Sequence, residues 1–219
     1  MGESGVVFRR SRSLCRTGAT AGMVGAALFV AAFLIQGWLR PGYASTSMFV
    51  SELSLGPWGW IQVVTFVVSG SLMFVFGRGL GVGLGGGVSG RAGPLLIQII
   101  GIALVASGPF VTDPSTVFNQ HSVHGIIHGL FGAVVFSLAP ASCLVMYRRF
   151  RRDSFWRGFA AATLVVGVGL IVGVILLKLA EQSTSELFAW KGLIQRAILI
   201  GFLGWVFTVA TRLRSTCPT

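Results

Sequence analysis

All three histidines of the chain, His121, His124 and His128, fall in the stretch HSVHGIIHGL, at the start of a long apolar run. Imidazole is the side chain that changes charge near neutral pH, and its ring nitrogens ligate metal ions, so this clustering invites both proton and metal chemistry. On a helix, with about 100° per residue, the three lie within an arc of roughly 60°. His124 and His128 are four apart, the spacing at which two imidazoles on one helical face chelate a cation. His121 lies roughly 10 Å along the axis from His128. The metal set expected from spacing is therefore His124, His128 and a carboxylate, with His121 as a further candidate. Asp113 in FVTDPS and Glu52 in FVSELS are the nearest acids by topology, and Ser51, Glu52 and Asp113 are the candidates for a catalytic role. The cofactor of such a site would be zinc, whose bound water ionises near pH 7. The plainer alternative leaves His121 and His124 wetted at an interface and buries His128 against a carbonyl.

The elements that must position these residues follow from composition. Of 219 residues, 53% are hydrophobic and only 11% charged, with a mean hydropathy of +0.81. That is too little polar surface for a soluble globule, so the chain reads as an integral membrane protein. A membrane helix needs roughly 20 apolar residues. Six runs qualify, near 19–39, 59–77, 94–111, 122–147, 158–178 and 191–211. The fold class is all-α: a six-helix transmembrane bundle spanning 19–211, between a basic N-terminus, 1–18, and a short tail, 212–219. The first run is too long for the apolar core of a cleaved signal peptide, and Gly2 lacks a myristoylation context.

Charge orients the bundle. Placing both termini and the 78–93 and 148–157 loops on one side gathers 13 of the 17 Lys and Arg there, leaving Arg40, Lys178, Lys191 and Arg196 opposite. The positive-inside rule then makes both termini cytoplasmic in an inner cell membrane. The net charge of +11 is topogenic, and RRFRRD, from Arg148 to Asp153, is a lipid-facing stop-transfer rather than a nucleic-acid patch. Expected partners are membrane lipids, with no nucleic acid. Cys15, Cys143 and Cys217 fall near the reducing side, so no disulfide is expected.

Four of the six acids, Glu52, Asp113, Glu181 and Glu186, lie on the outer face with the histidines. Lys178 should pair with Glu181, and Lys191 or Arg196 with Glu186. Arg196, a turn into its span, should snorkel or neutralise Glu52 or Asp113. Ser51 either lines a polar lip or caps a short re-entrant helix. Gly81, Gly83 and Gly86 form a Gly-x-Gly-x-x-Gly, but a membrane helix precedes it, so the loop reads as a flexible linker. Gly18 and Gly22, Gly125 and Gly129, and Gly169 and Gly173 have the spacing for close helix packing. Trp38, Trp58, Trp60, Trp156 and Trp190 fall at span ends as interfacial anchors.

Several of these segments together carry a likeness. PGYASTSMFVSEL followed by GPWGW, then GPFVTDPSTVFNQHSVHGIIH and a basic stretch after span four, resemble the bacterial and archaeal membrane proteins grouped as domain of unknown function 998. The likeness covers nearly the whole chain and rests most specifically on Ser51-Glu52, Thr112-Asp113-Pro114 and Gly125 to His128. It implies a six-helix membrane protein without a settled activity. A remoter likeness, to alkaline ceramidases and adiponectin-type receptors, implies a zinc-dependent lipid amidase. Those proteins draw histidines from separate helices, however, and here all three sit on one.

Three functional readings follow. The first is a non-enzymatic membrane protein whose outer-face polar site, around His124, His128, Asp113, Ser51 and Glu52, binds a lipid, a partner or a proton. The second is a zinc-dependent hydrolase acting on a lipid headgroup or amide. The third is a small transporter or haem electron carrier. It is disfavoured because bis-histidine haem needs two facing helices and no repeat relates the two halves.

Overall fold

A computed structural model of the chain describes residues 3–85, 88–115 and 122–217, with side chains described outside 3–10 and 88–89. Gly86 and His121 lie outside the described residues. Six long helices dominate: α1 (Glu3–Leu39), α2 (Gly59–Gly83), α3 (Val88–Ser107), α4 (Val123–Phe150), α5 (Arg157–Ala180) and α6 (Lys191–Thr216). Each contains a stretch long and apolar enough to cross a membrane. This chain is a multi-pass integral membrane protein. In lipid the backbone must satisfy its own hydrogen bonds, so apolar runs of this length become helices whatever their neighbours.

Consecutive helices pack against one another, and α6 returns to α1, so the six close into a ring. Glycines allow the tightest approaches. A Cβ on Gly18 would stand 2.6 Å from the Cα of Gly79, and one on Gly70 would stand 2.6 Å from the carbonyl oxygen of Gly101. Those contacts join α1 to α2 and α2 to α3. Of the spaced glycine pairs, Gly22 meets Phe76 and Ala210, and Gly173 meets Ile198, whereas Gly129 and Gly169 approach no neighbour within 4 Å. Spacing identifies a flat stripe on a helix but not which stripes face a partner.

At the end holding both termini, three expectations are corrected. The 78–93 segment is not a long linker: α2 runs through Gly83, where an added Cβ would press on Leu213 and Cys15, and Gly85 ends it at φ +71°. Small residues here serve packing, not slack. Cys15 and Cys217 form a disulfide, Cα to Cα 5.8 Å, because an even number of spans returns the last helix beside the start of the first. Cys143 alone is a free, buried thiol. Trp156 is no interfacial anchor. It is buried and stacked on Phe150 at 4.5 Å, with the Arg212 guanidinium near it and 4.6 Å from the Phe155 ring. Trp38, Trp58, Trp60 and Trp190 are exposed at helix ends as expected.

Candidate functional site

The opposite end is closed by chain folded back onto the ring. The loop after α1 carries a 3-10 helix, Val50–Ser54, buried throughout. Its cap is Glu52, not Ser51. The Glu52 Oε1 accepts the Phe49 amide at 2.8 Å, while Oε2 accepts the Ser115 amide at 3.1 Å, tying the loop after α3 to this turn. A carboxylate three residues into a helical turn reaches back to the capping amide better than a serine hydroxyl one residue earlier. Ser51 is buried and offers its carbonyl to the Ser54 hydroxyl.

The same loop is clamped to α6. Arg196, 4% exposed, donates to the carbonyls of Ser45, Met48 and Gly192 at 2.6, 3.0 and 2.9 Å, and to the Tyr43 hydroxyl. It neither snorkels nor pairs with Glu52 or Asp113, because converging carbonyl dipoles already surround its fork of donors. Gln195 Oε1 accepts the Val50 amide at 2.7 Å, and Leu193 donates its amide to Thr46. Burial pushes the Tyr43 phenol above its ordinary pKa against the pull of Arg196, so it stays protonated and donates to the Phe49 carbonyl at 2.8 Å.

The start of α4 is built around Asp113. Its carboxylate accepts the Ser122 amide at 2.9 Å and hydroxyl at 2.7 Å, and the Ser122 Oγ in turn caps the Gly125 amide. Gly125 has no side chain because a Cβ there would strike this carboxylate. His128 lies one turn deeper, buried, with Nδ1 donating to the carbonyls of Phe110 at 2.7 Å and Ser107 at 3.2 Å. Carbonyls only accept, so Nδ1 carries a proton. The bond satisfies carbonyls left open at the end of α3.

Inside the ring at this end lies a cavity of about 570 Å³. Its polar lining comes from helix ends and loops: Ser51, Asp113, Ser115, Lys178, Glu181, Lys191 and Gln195. Its apolar lining comes from deeper turns, including Phe29, Phe66, Leu104, Val135, Phe136 and Leu199. The lining residues of α4 run from Gly125 to Ser137, roughly 18 Å along the axis. Gly129 and Gly132 line this wall, and a Cβ added to either would meet nothing within 4 Å.

Three of the sequence candidates, Ser51, Asp113 and His128, therefore line one cavity. Glu52 is 1% exposed beneath the loop and does not, and His124 is exposed with its ring 5.6 Å from that of Phe110. Among the described residues no three His, Cys, Asp or Glu side chains come together to hold a metal. Asp113 already bonds Ser122, both Glu52 oxygens accept amides, and His128 offers only Nε2. Among the described residues these donors do not converge on a zinc ion.

Lys191 was missed as a site residue. It is 2% exposed, lines the cavity and sits with Nζ 3.5 Å from the centre of the Phe188 ring and 5.5 Å from that of Phe49. No Glu186 pair forms. Five residues is off the helical i,i+4 relation, and that spacing was the available signal. Lys178 does pair with Glu181, at 2.7 Å.

Compared with known proteins, the chain matches over residues 23–212 the family model described as protein of unknown function (DUF998). No curated protein and no solved structure matches it.

Proposed function

Since the chain belongs to the DUF998 family of proteins of unknown function, its activity has to be argued from its own geometry, and we propose that it binds a small amphiphilic molecule in the cavity between its helices. The observation that carries this reading is the gradient of the lining: the charged groups Asp113, Lys178, Glu181 and Lys191 all stand at helix ends and loops, and the deeper turns are aromatic and aliphatic apart from Ser137. A ligand with a polar head and an apolar body matches both, and the volume lies within the roughly 300–1,000 Å³ of small-molecule sites. On the charge distribution, the termini are cytoplasmic and the cavity faces the other side.

Binding fits these residues better than catalysis. The carboxylates of Glu52 and Asp113 are engaged in holding loops, and among the described residues the Ser51 hydroxyl has no hydrogen bond to a base that would activate it. A zinc-dependent hydrolase, a transporter and a haem carrier have no observation of their own in support.

The test is lipid analysis of protein purified in nanodiscs. Wild type should carry a small molecule in roughly stoichiometric amount over empty discs, and Gly132→Phe, which fills the cavity from an unobstructed position on α4, should lose it. Equal content in the two proteins would refute the cavity as a binding site.

A further inference from the structure

Resting on the cavity reading above, we infer that the ligand's head is an anion, a carboxylate or phosphate on an apolar chain, and that Lys191 is the residue that reads its charge. Among the described residues the ionisable groups lining this space are Asp113, His128, Lys178, Glu181 and Lys191, while the carboxylates of Glu52, beneath the loop, and Glu181 attract Lys191 from beyond ion-pair distance. Asp113 bonds Ser122 and Lys178 bonds Glu181, while His128 donates its Nδ1 proton to carbonyls.

Lys191 is different. Its ammonium has no carboxylate within ion-pair distance and no hydrogen-bond acceptor among the described residues. Only the faces of Phe188 and Phe49 lie against it. A buried cation is costly unless partnered, and an aromatic face offsets only part of that cost. The position compounds the excess: Lys191 is the first residue of α6, where the helix dipole is positive, so the dipole adds to the charge instead of opposing it. One turn on, Gln195 lines the same wall, with its Oε1 spent on Val50 and its Nε2 remaining as a donor. A cation and an amide donor on one helix face suit an oxyanion. The lining of α6 runs from Lys191 past Gln195 to Leu199, roughly 12 Å along the axis, and Leu199 with Phe29, Phe66, Leu104 and Val135 of the other helices gives the apolar lining that suits the chain behind the head.

The experiment is photolabelling of the full chain in phosphatidylcholine nanodiscs with diazirine-bearing palmitate. Competitors are palmitate, hexadecyl phosphate, hexadecanol, acetate and inorganic phosphate. Label should map to cavity-lining residues. Palmitate or hexadecyl phosphate should compete at concentrations at least about tenfold below hexadecanol, the equivalent of one charge-assisted hydrogen bond. Lys191→Met should abolish that preference while keeping hexadecanol binding, and Lys191→Arg should retain it. Removing an uncompensated buried charge leaves the fold no worse off, and the melting temperature of Lys191→Met checks this. Equal competition by palmitate and hexadecanol in wild type, or a preference surviving in Lys191→Met, overturns the anion assignment and leaves the cavity reading standing. Acetate or phosphate competing as well as palmitate overturns the apolar chain. Label outside the cavity, or undiminished in Gly132→Phe, overturns both readings together.

Discussion

Arg196 holds its charge in the bundle with carbonyl oxygens alone, three of them, plus the Tyr43 hydroxyl and the Tyr43 ring 5.3 Å away. All three carbonyls take their bond from one nitrogen, Nη1, and the Tyr43 hydroxyl takes its bond from Nη2, so a lysine ammonium, a single donor atom, cannot hold both sides of the clamp. Arg196→Lys and Arg196→Met are both expected to loosen the loop that carries Val50–Ser54, with a loss of about 2–4 kcal/mol as buried carbonyls lose their donors. For a chain of this size that is a fall of roughly 5–15 °C in melting temperature in a fixed detergent. A fall equally large in Lys178→Met, whose partner Glu181 is at the exposed rim, would show that the buried clamp is nothing special. Two acids at this end belong to the same scale. Asp113 and Glu52 look catalytic as residue types, yet their bonds hold α4 and a 3-10 turn in place.

Between elements, contact is governed by where side chains are missing. In lipid no hydrophobic force draws helices together, so packing quality decides. The crossing of α1 and α2 depends on Gly18 and Gly79 lying backbone to backbone. Gly79→Ala should therefore destabilise by about 1–3 kcal/mol as the helices are pushed apart. Gly169→Ala, on the face of α5 where no neighbour lies within 4 Å, should be neutral or stabilising by up to about 1 kcal/mol from helix propensity. Thermal unfolding of the two variants side by side separates the cases. Equal effects would mean that the close approach contributes nothing.

For the molecule as a whole, the ring closes where α6 meets α1, and Cys15 with Cys217 seals that seam at the end rich in arginine. Geometry brings the two sulfurs together, but the compartment decides whether they stay bonded. On the orientation proposed from the charge distribution, with the termini in the cytoplasm, glutathione and thioredoxin systems would keep this pair reduced in the cell. Mass-tagging of thiols in freshly lysed, growing cells is expected to count three free cysteines per chain. The count should fall to one, Cys143, after treatment with a mild oxidant. A count of one before oxidation would place this end outside the cytoplasm and reverse the orientation.

Hydropathy alone determined the number of helices and their class, because backbone in hydrocarbon has one way to satisfy itself and each span is a local decision of roughly 20 residues, but not every end, since α1 reaches back to Glu3 and α2 on to Gly83 beyond the apolar runs. The likeness carried by Ser51-Glu52, Thr112-Asp113-Pro114 and Gly125 to His128 also led to the right family. Part of the candidate site was legible too: Ser51, Asp113 and His128 do line one cavity. The tertiary structure decided the partners. Arg196 met carbonyls 148 and 151 residues away, Glu52 met the Ser115 amide, Cys15 met Cys217, and Lys191 came to rest against aromatic faces with no ion pair among the described residues. Such pairings depend on which helix faces close the ring. A single chain's periodicity carries that information only as a stripe with no address, because spacing along a helix fixes direction around one axis and never the neighbour on the other side.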